Sequence, residues 1–394
     1  MESTISNLRF DNTQLAFAAR TDAQLKKAYW LFKMIGSPAL NQIGPPLLST
    51  ALKLNLPLVE PLVRNTIFEL FCGGTSLKDS VNTSNYLYQF GVQTILDYSV
   101  EGEKTEAGFD ATCEEIIRTL LHGGKNEPVA FSACKLTGLA DFDLMDKRQS
   151  GAELSKKEVQ QFERVKARLH RICRTAQEQK TPIFIDAEET WIQDTIDELA
   201  EEMMATYNQE ACWVYTTIQH YRWDRLDYLK GLIERSKSLG YLLGVKLVRG
   251  AYLEKETERA REMGYENPMQ PSKEATDADY DAALELCTEH IDHVCICAGT
   301  HNEASSLKLT QLMAAKGLQP GDHRIIFSQL LGMSDNISFN LGHAGYRVAK
   351  YLPYGPVKAV MPYLIRRANE NTSVAGQSSR ELELIKTELG RRGV

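Results

Sequence analysis

Residues 242–252 read LLGVKLVRGAY, a short and nearly continuous apolar run that ends in polar residues. Seven comparable runs occur along the chain, separated by longer stretches whose apolar residues have helical spacing. They are VQTILDYSV (92–100), PVAFSACKLTG (128–138), TPIFIDAEE (181–189), CWVYTTIQHY (212–221), VCICAGTHN (294–302), RIIFSQLLG (324–332) and RVAKYLPYG (347–355). Such runs are typical of strands in a parallel sheet that is buried on both faces. Eight of them alternating with helices predict a (βα)8 barrel.

The segments on either side of these runs have a different pattern. Residues 1–90 place apolar residues at helical spacing, as in DNTQLAFAARTDAQLKKAYWLFKMI at 11–35, and lack the alternation of strands. We therefore predict an α/β protein with an N-terminal helical segment at 1–90, the TIM-like barrel at 91–355 and C-terminal helices closing the active site at 356–394. A doubly wound sheet is the alternative, but neither GxGxxG nor GxxxxGK[ST] occurs.

The composition of the 394-residue chain argues against some classes of function. A net charge of −7 and a pI of about 5.7 disfavour a nucleic-acid binder, which needs a concentrated basic face. The longest apolar stretch, at 43–63, is interrupted by prolines and charges and is too broken to span a bilayer. The eight cysteines form no CxxC pair, and the amino terminus has no signal-like apolar core. We expect a cytoplasmic protein with reduced thiols.

Polar side chains cluster where the apolar runs end, which is the catalytic end of a (βα)8 barrel. These residues are Asp97, Glu101, Lys135, Asp186, Glu188, Glu189, Gln219, His220, Arg249, Tyr252, Thr300, His301, Asn302, Gln329, Tyr351 and Tyr354. Lys246 lies inside the fifth run, where a lysine must be paired or must contact a ligand. Lys135 and Lys246 could each be an interior lysine paired with Asp97 or Asp186. So many polar groups at one barrel mouth nevertheless indicate a bound ligand.

Other activities fit parts of this pattern. Asp186, Glu188 and His301 could bind a divalent metal, but no HxH or HExxH spacing supports such a site. A serine hydrolase is disfavoured because GxSxG is absent. A Schiff-base aldolase that uses Lys135 or Lys246 stays open from the residues alone, as does a barrel that only binds an acidic metabolite.

The stretch PYLIRRANEN at 362–371 predicts an amphipathic helix with two adjacent arginines. On helical spacing Tyr363, Arg366, Arg367 and Glu370 fall on one narrow face, opposite an apolar stripe. The spacing fits a solvated surface helix with an ion pair between Arg366 and Glu370. The same face could instead bind an anionic ligand.

Six phrases of the chain are long enough to be compared with known families. They are ACKLTGL (133–139), IDAEET (185–190), KLVRGAYLEKETERA (246–260), GTHNEAS (299–305), QLLGMSDNISF (329–339) and YLPYGPVKAVMPYLIRRANEN (351–371). Together, and in this order, they resemble the proline dehydrogenase family of flavoenzymes. The resemblance runs from about residue 64 to residue 380. It implies a distorted (βα)8 barrel that holds FAD without a Rossmann domain, which agrees with the absent GxGxxG.

The resemblance also implies roles for individual residues. Matching the site for L-proline are Lys135, Tyr351, Tyr363, Arg366, Arg367 and Glu370. Matching the contacts to FAD are Asp186, Ile218, Gln219, Lys246, Arg249, Gly250, Ala251, Tyr252, Thr300 and His301. The lysine and arginines of the first set would bind the carboxylate, and its tyrosines would pack against the ring. Lys246 departs from the bifunctional bacterial relatives, which have an arginine near flavin N5.

The implied reaction is hydride transfer from C5 of proline to N5 of FAD, which yields 1-pyrroline-5-carboxylate. Asp186 or water would take the proton of the amine, and Lys246 would stabilise the reduced flavin. A membrane quinone would then accept the electrons, so we expect peripheral contact with the inner face of the cytoplasmic membrane. No metal is implied, and a separate pyrroline-5-carboxylate dehydrogenase would take the product.

Overall fold

The barrel predicted from the eight apolar runs is present. The computed structural model describes residues 8–35, 59–100, 103–373 and 377–394, with the side chains of 368–379 outside that description. Eight strands follow one another around a closed barrel in chain order, each inside one of the predicted runs. They are β1 (Gln93–Tyr98), β2 (Val129–Cys134), β3 (Ile183–Ile185), β4 (Val214–Gln219), β5 (Leu243–Val248), β6 (Val294–Gly299), β7 (Ile325–Leu330) and β8 (Val348–Tyr354).

Helices alternate with the strands, and extra helices follow β2 and β5, where the sequence leaves longer intervals. Ahead of β1 lie α1 (Thr13–Ala16), α2 (Asp22–Ile35), α3 (Val59–Val63), a π-helical turn (Arg64–Phe68), α4 (Glu69–Phe71) and α5 (Leu77–Tyr88). Between β1 and β8 lie α6 (Glu106–Gly123), α7 (Phe142–Gln149), α8 (Lys156–Gln179), α9 (Thr190–Tyr207), α10 (Arg225–Leu239), α11 (Leu253–Met263), α12 (Lys273–Glu289), α13 (Glu303–Ala315) and α14 (Asp335–His343). After β8 come α15 (Val357–Ser373) and α16 (Gln377–Arg392).

Capping side chains mark where several helices begin. At the start of α8 the Ser155 hydroxyl accepts a hydrogen bond from the Glu158 N–H, and the Glu158 carboxylate accepts one from the Ser155 N–H at 2.7 Å. Thr105 and Ser272 cap α6 and α12 in the same way, each accepting from a backbone N–H of the first turn. These bonds satisfy amides that have no partner inside the helix, so local sequence is enough to set these starts.

The chain divides into two compact units. One comprises Met1–Ser99 with Gln329–Val394, and the other comprises Val100–Ser328. The described part of the predicted helical segment is helical, while its residues 36–58 lie outside the described residues. The predicted division of the chain at residues 90 and 355 stays a prediction.

The interior of the second unit follows from the register of β4, β5 and β6. These strands are parallel, and side chains at paired positions point to the same face of the sheet. Phe131 and Phe184 stack with ring centroids 4.4 Å apart, which fills part of this unit's core. Two rows of paired residues run across the three strands. They are Tyr215, Gly244 and Cys295, and two positions further on Thr217, Lys246 and Cys297.

The first unit buries a cluster of charges beside its apolar core. Lys350 of β8 is fully buried, and its Nζ lies 2.8 Å from Oδ1 of Asp335. Arg20 binds the other oxygen of that carboxylate at 3.0 Å. Glu381 of α16 accepts a hydrogen bond from the Ser334 N–H. Burial, with a smaller contribution from the negative charge of Asp335, raises the pKa of Glu381 to about 7.

The raised pKa of Glu381 makes the stability of the fold depend on pH. A carboxyl whose pKa is higher in the folded than in the unfolded state stabilises the fold fully below its unfolded pKa. That stability is lost as the pH rises through the folded pKa of about 7. Glu381→Gln keeps an oxygen for the Ser334 N–H but does not ionise. We therefore expect its free energy of unfolding, relative to the original chain, to rise by about 2–3 kcal/mol between pH 5 and pH 8.

Urea unfolding at several pH values measures this difference. Glu388→Gln is the matched control on the same helix, because hydrogen bonds from Arg391 and Arg392 lower the pKa of Glu388 to about 2. Glu388 is ionised throughout this pH range, so its variant should differ from the original chain by a constant amount. A constant difference for Glu381→Gln would contradict the assignment.

Candidate active site

The second unit buries two lysines around one carboxylate. Asp186 follows β3 directly, Lys246 lies within β5, and Lys135 follows β2. The Nζ atom of Lys135 lies 3.3 Å from Oδ2 of Asp186, and Lys246 donates a hydrogen bond to Oδ1. Only 7% of Asp186 and 6% of Lys246 are exposed. The sequence left Asp97 and Asp186 open as partners of these lysines. In the structure, Asp186 contacts both.

This cluster combines charged groups with an aromatic ring and an unsatisfied hydroxyl. Lys135 and Lys246 bring two ammonium groups, whereas Asp186 brings one carboxylate. The Nζ atom of Lys246 also lies 4.9 Å from the ring centroid of Phe184. Thr217, which pairs with Lys246 across β4 and β5, has a buried hydroxyl with no hydrogen-bond partner. A buried hydroxyl without a partner is costly in a protein interior unless a polar ligand completes the site.

Arg249 is held rigidly just beyond the end of β5. Its Nε donates to Asp277 at 2.6 Å, Nη1 donates to the Thr300 hydroxyl at 2.6 Å and Nη2 donates to the Ser305 hydroxyl at 2.9 Å. The guanidinium also lies 4.3 Å from the ring centroid of Tyr280. Burial alone would raise the pKa of Asp277, but hydrogen bonds from Lys273 and Arg249 outweigh it and lower that pKa. The guanidinium therefore has a fixed orientation.

The next three predicted positions lie at the ends of β4 and β5. The side-chain amide of Gln219 donates to the backbone carbonyl of Glu188 at 2.8 Å. Ile218 pairs with Leu247, so its side chain lies on the opposite face of the sheet from Lys246. A contact between Ile218 and a cofactor would therefore involve its backbone. Gly250 has a φ of 135°, and a Cβ there would lie 2.5 Å from the ring of Tyr221, so this position requires glycine.

The remaining predicted cofactor positions lie on loops of the same unit. Ala251 and the half-buried Tyr252 lead from β5 into α11. Thr300 is buried directly after β6, and its hydroxyl accepts hydrogen bonds from Arg249 and from the Asn302 N–H. His301 is half-buried between β6 and α13.

The structure gives several polar residues near the site a role that the sequence does not indicate. Glu188, a possible metal ligand by its position in the sequence, accepts hydrogen bonds from both the N–H and the hydroxyl of Thr137. Asp277 and Asp279 of α12 orient Arg249 and the buried His220, whose Nδ1 lies 2.7 Å from Oδ2 of Asp279. Burial lowers the pKa of His220 despite this carboxylate. Nothing in the spacing of polar residues along α12 indicates which carboxylates face inward.

The first unit contains the helix with the two arginines. The described part of α15 buries Tyr363 and Arg367, which are 4% and 6% exposed, and Arg366 is half-buried. The guanidinium of Arg367 lies 5.1 Å from the ring centroid of Tyr363. Tyr351, in β8 of this unit, is also buried. The burial of Arg367 argues against a solvated surface helix, and the side chain of Glu370 lies outside the described residues.

The comparison with protein families matches residues 80–380 of the chain to the family model described as proline dehydrogenase. That match covers more than half of the chain. The chain belongs to the proline dehydrogenase family. This confirms the resemblance predicted from the six sequence phrases and makes the protein an oxidoreductase.

Two relatives and one solved structure illustrate the similarity. The chain is 29% identical to mitochondrial proline dehydrogenase 1 of Dictyostelium discoideum over 98% of its own length and 75% of that protein. It is 32% identical to the hydroxyproline dehydrogenase of Bos taurus over 96% of its own length and 92% of that protein. Proline utilization A from Bdellovibrio bacteriovorus, inactivated by N-propargylglycine, has a similar fold with a TM-score of 0.72 and 18% identity. This chain covers 40% of that structure, which covers 94% of this chain.

Within the described ranges, no group of three or more histidine, cysteine, aspartate or glutamate side chains is arranged to hold a metal ion. The polar groups of this proline dehydrogenase homologue that converge in the second unit are instead lysines, arginine and hydroxyls around Asp186. This set favours an organic ligand with negative or polar atoms.

Removing the carboxylate of Asp186 tests how strongly it compensates the buried lysines. Asp186→Asn leaves two ammonium groups without their charged partner, so we expect a loss of about 3–5 kcal/mol in the free energy of unfolding. Urea unfolding of the two proteins measures this loss. Asp227→Asn is the control, because the Asp227 side chain is 87% exposed and pairs with Lys230 on its own helix, so its variant should cost less than about 1 kcal/mol. Equal losses in the two variants would contradict this role for Asp186.

Proposed function

We propose that this protein oxidises L-proline to 1-pyrroline-5-carboxylate, the first step of proline catabolism, with FAD as its cofactor. Bound FAD would supply a hydride acceptor at N5 for the hydride that leaves C5 of proline. The observation that carries the proposal is the buried cluster in which Lys135 and Lys246 contact Asp186, in a chain of this family. An anionic substrate and a cofactor that becomes negatively charged on reduction both suit such a site.

The residues of the second unit are suited to holding a flavin. Lys246 and Arg249 offer positive charge, and the buried Thr217 hydroxyl offers a hydrogen bond that no protein group takes up. Gly250 removes a side chain where the backbone passes close to Tyr221. We propose that these groups, with Asp186, Ile218, Gln219, Ala251, Tyr252, Thr300 and His301, contact FAD. Lys246 would supply a single ammonium charge, without the planar and multiple donors of a guanidinium.

Recognition of proline requires a carboxylate partner. We propose that Lys135, Arg366 and Arg367 bind the substrate carboxylate and that Tyr351 and Tyr363 pack against the ring, with Glu370 in the same cluster. Charge-assisted hydrogen bonds are roughly twice as strong as neutral ones, and they would orient the ring carbon that loses hydride. Asp186 already accepts from two ammonium groups. Either Asp186 or a water molecule takes the proton of the amine.

The electrons then need an acceptor, and we propose a quinone in the membrane. Within the described ranges, no helix is both long and apolar enough to cross a bilayer. Trp30 and Met34 of α2 are instead 59% and 48% exposed, and the exposed Lys33 lies 4.9 Å from the Trp30 ring centroid. Aromatic, apolar and basic side chains on one helix face support peripheral contact with an anionic lipid surface. A separate pyrroline-5-carboxylate dehydrogenase would use the product.

A visible absorption spectrum of the purified protein tests the proposed reaction. We expect flavin absorption that bleaches when L-proline is added without oxygen, because reduction removes the oxidised flavin. Hydroxyproline oxidation is the second candidate, since the Bos taurus relative carries that name. Tyr351 against the C4 edge of the ring would disfavour a hydroxyl there, so kcat/KM should be higher for proline than for 4-hydroxyproline. A protein that stays colourless and inert after reconstitution with FAD would exclude the proposal. A higher kcat/KM for 4-hydroxyproline would make hydroxyproline, and not proline, the proposed substrate.

The arginines of α15 have a separate test. Arg366→Met and Arg367→Met each remove a charged hydrogen-bond donor worth about 1.5–3 kcal/mol, so we expect KM for proline to rise roughly 10-fold to 100-fold. The bound flavin should be retained, because these residues are assigned to the substrate alone. Arg118→Met is the control, since the Arg118 side chain is 67% exposed and pairs only with a neighbour on its own helix. An unchanged KM in both arginine variants would show that these arginines do not bind the substrate carboxylate.

A further inference from the structure

The first unit contains a cavity of about 510 Å³. This volume lies within the range of roughly 300–1,000 Å³ that small-molecule sites occupy. Its walls include the π-helical turn (Arg64–Phe68), α5 and α14, and every described residue that lines it belongs to this unit. Turns of π-helix are rare and frequently occur at functional sites. A cavity with such a wall is therefore a candidate for a second ligand.

The cavity has an apolar floor and a polar rim. Phe68 and Phe339 are buried and lie at the floor. Arg64, Asn65 and Asn82 are exposed and bring N–H donors to the rim. This combination suits a planar apolar ring that carries hydrogen-bond acceptors.

The charges of the lining largely cancel one another. Arg20 pairs with Asp335 at 3.0 Å, and Glu69 pairs with a lysine of α2 at 2.6 Å. The other two charged side chains of the described lining, Arg64 and Asp79, have opposite signs. The lining therefore favours a neutral ligand over an ion.

Strand β8 separates the cavity from the residue proposed to pack against the proline ring. In the cavity wall, the Gly73 N–H donates to the Pro353 carbonyl at 2.8 Å, and a Cβ at Gly73 would lie 2.6 Å from the Leu352 side chain. The Leu331 N–H, also in the wall, donates to the Tyr351 carbonyl at 3.0 Å. Leu352 and Tyr351 are adjacent in β8, so their side chains point to opposite faces. A ligand in the cavity thus lies one strand away from the proposed site of proline.

The cavity also borders the surface that is proposed to contact lipid. Lys27 lies one helical turn before the exposed Trp30, and its Nζ is 2.6 Å from the carboxylate of Glu69 in the cavity lining. Leu62 is 61% exposed and lies two residues ahead of Arg64 at the rim. A ligand dissolved in the bilayer would therefore meet apolar side chains on its way to the rim.

We propose that this cavity binds the ring of the membrane quinone that accepts the electrons of proline, which rests on the proposed function. The aromatic floor packs against the ring. Arg64, Asn65 and Asn82 donate hydrogen bonds to its two carbonyl oxygens, and the apolar tail leaves past Leu62 and Trp30. In the net reaction proline loses two electrons and two protons, and the quinone gains them and becomes the quinol, so no other reagent is consumed.

Two substitutions on α5 test the site. Asn82→Trp places an indole at the rim, where it competes with the quinone ring. Asn85→Trp is the matched control, because Asn85 is exposed on the same helix and does not line the cavity. With ubiquinone-1 as acceptor and saturating L-proline, we expect the KM for the quinone to rise at least about tenfold in Asn82→Trp and to stay within about twofold in Asn85→Trp. Calorimetric titration of the oxidised proteins with ubiquinone-1 should give the same ratios of Kd.

Reduction of the flavin by proline distinguishes the quinone site from the proposed function. In both variants L-proline should bleach the flavin without oxygen at the rate of the original chain, because the cavity does not bind proline. If proline bleaches the flavin but the KM and Kd for ubiquinone-1 are unchanged in Asn82→Trp, or rise equally in Asn85→Trp, the quinone site alone is wrong. If proline bleaches no flavin, the proposed function fails, and the titration still decides whether the cavity binds a quinone.

Photolabelling of the original chain needs no variant. An azido derivative of ubiquinone, photolysed with the oxidised holoenzyme, should label the segments that line the cavity, at residues 19–24, 64–87 and 331–339. An excess of ubiquinone-1 should prevent the labelling. Labelling only outside these segments, or labelling that ubiquinone-1 does not prevent, would overturn the proposal even if a variant fails to fold.

Discussion

Compensation of buried charge is the constraint on which this structure depends. A charged lysine inside a packed interior is stable only when a carboxylate or several carbonyl oxygens accept hydrogen bonds from its ammonium group. In the second unit Asp186 forms ion pairs with both Lys135 and Lys246. In the first unit Asp335 forms ion pairs with Lys350 and Arg20. Each unit thus places one aspartate between two cations, and each arrangement requires strands or helices that are distant in sequence to meet at one point.

The two clusters nevertheless differ in what completes them. Lys350 donates to the backbone carbonyl of Met333 as well as contacting Asp335, and Glu381 brings a second carboxyl to its surroundings. These contacts give a structural cluster in which acids and bases are equal in number. Beside the cluster around Asp186, the buried Thr217 hydroxyl has no partner. Such an unsatisfied polar group favours a bound ligand at this place.

The family to which the chain belongs suggests a chemical role for these lysines and arginines. Reduction of a flavin develops negative charge, and a small amino acid brings a carboxylate, so both proposed ligands would be stabilised by lysine and arginine. Arg249 illustrates how the fold supports this role. Each of its three nitrogens donates a hydrogen bond, to Asp277, Thr300 and Ser305 respectively. The guanidinium consequently has little freedom to reorganise during a reaction, which is the property that electrostatic stabilisation needs.

Periodicity along the chain was enough to predict the barrel, because strands buried on both faces produce short apolar runs that helices separate. All eight strands lie inside runs that the sequence marks, and the motif phrases place the chain in its family. Local spacing failed where the answer depends on the direction in which a side chain points. It did not show that Glu188 binds Thr137, that Asp277 and Asp279 face Arg249 and His220, or that Ile218 points away from Lys246.

The sequence by itself therefore determined the class of fold, the order of the strands and the residues that carry charge at their ends. Only the tertiary structure decided which side chains contact one another. The choice of Asp186 for both lysines depends on the register of β2, β3, β4 and β5. Register is set by the packing of whole strands, and a shift by one residue would move every side chain to the other face. No local pattern contains that information.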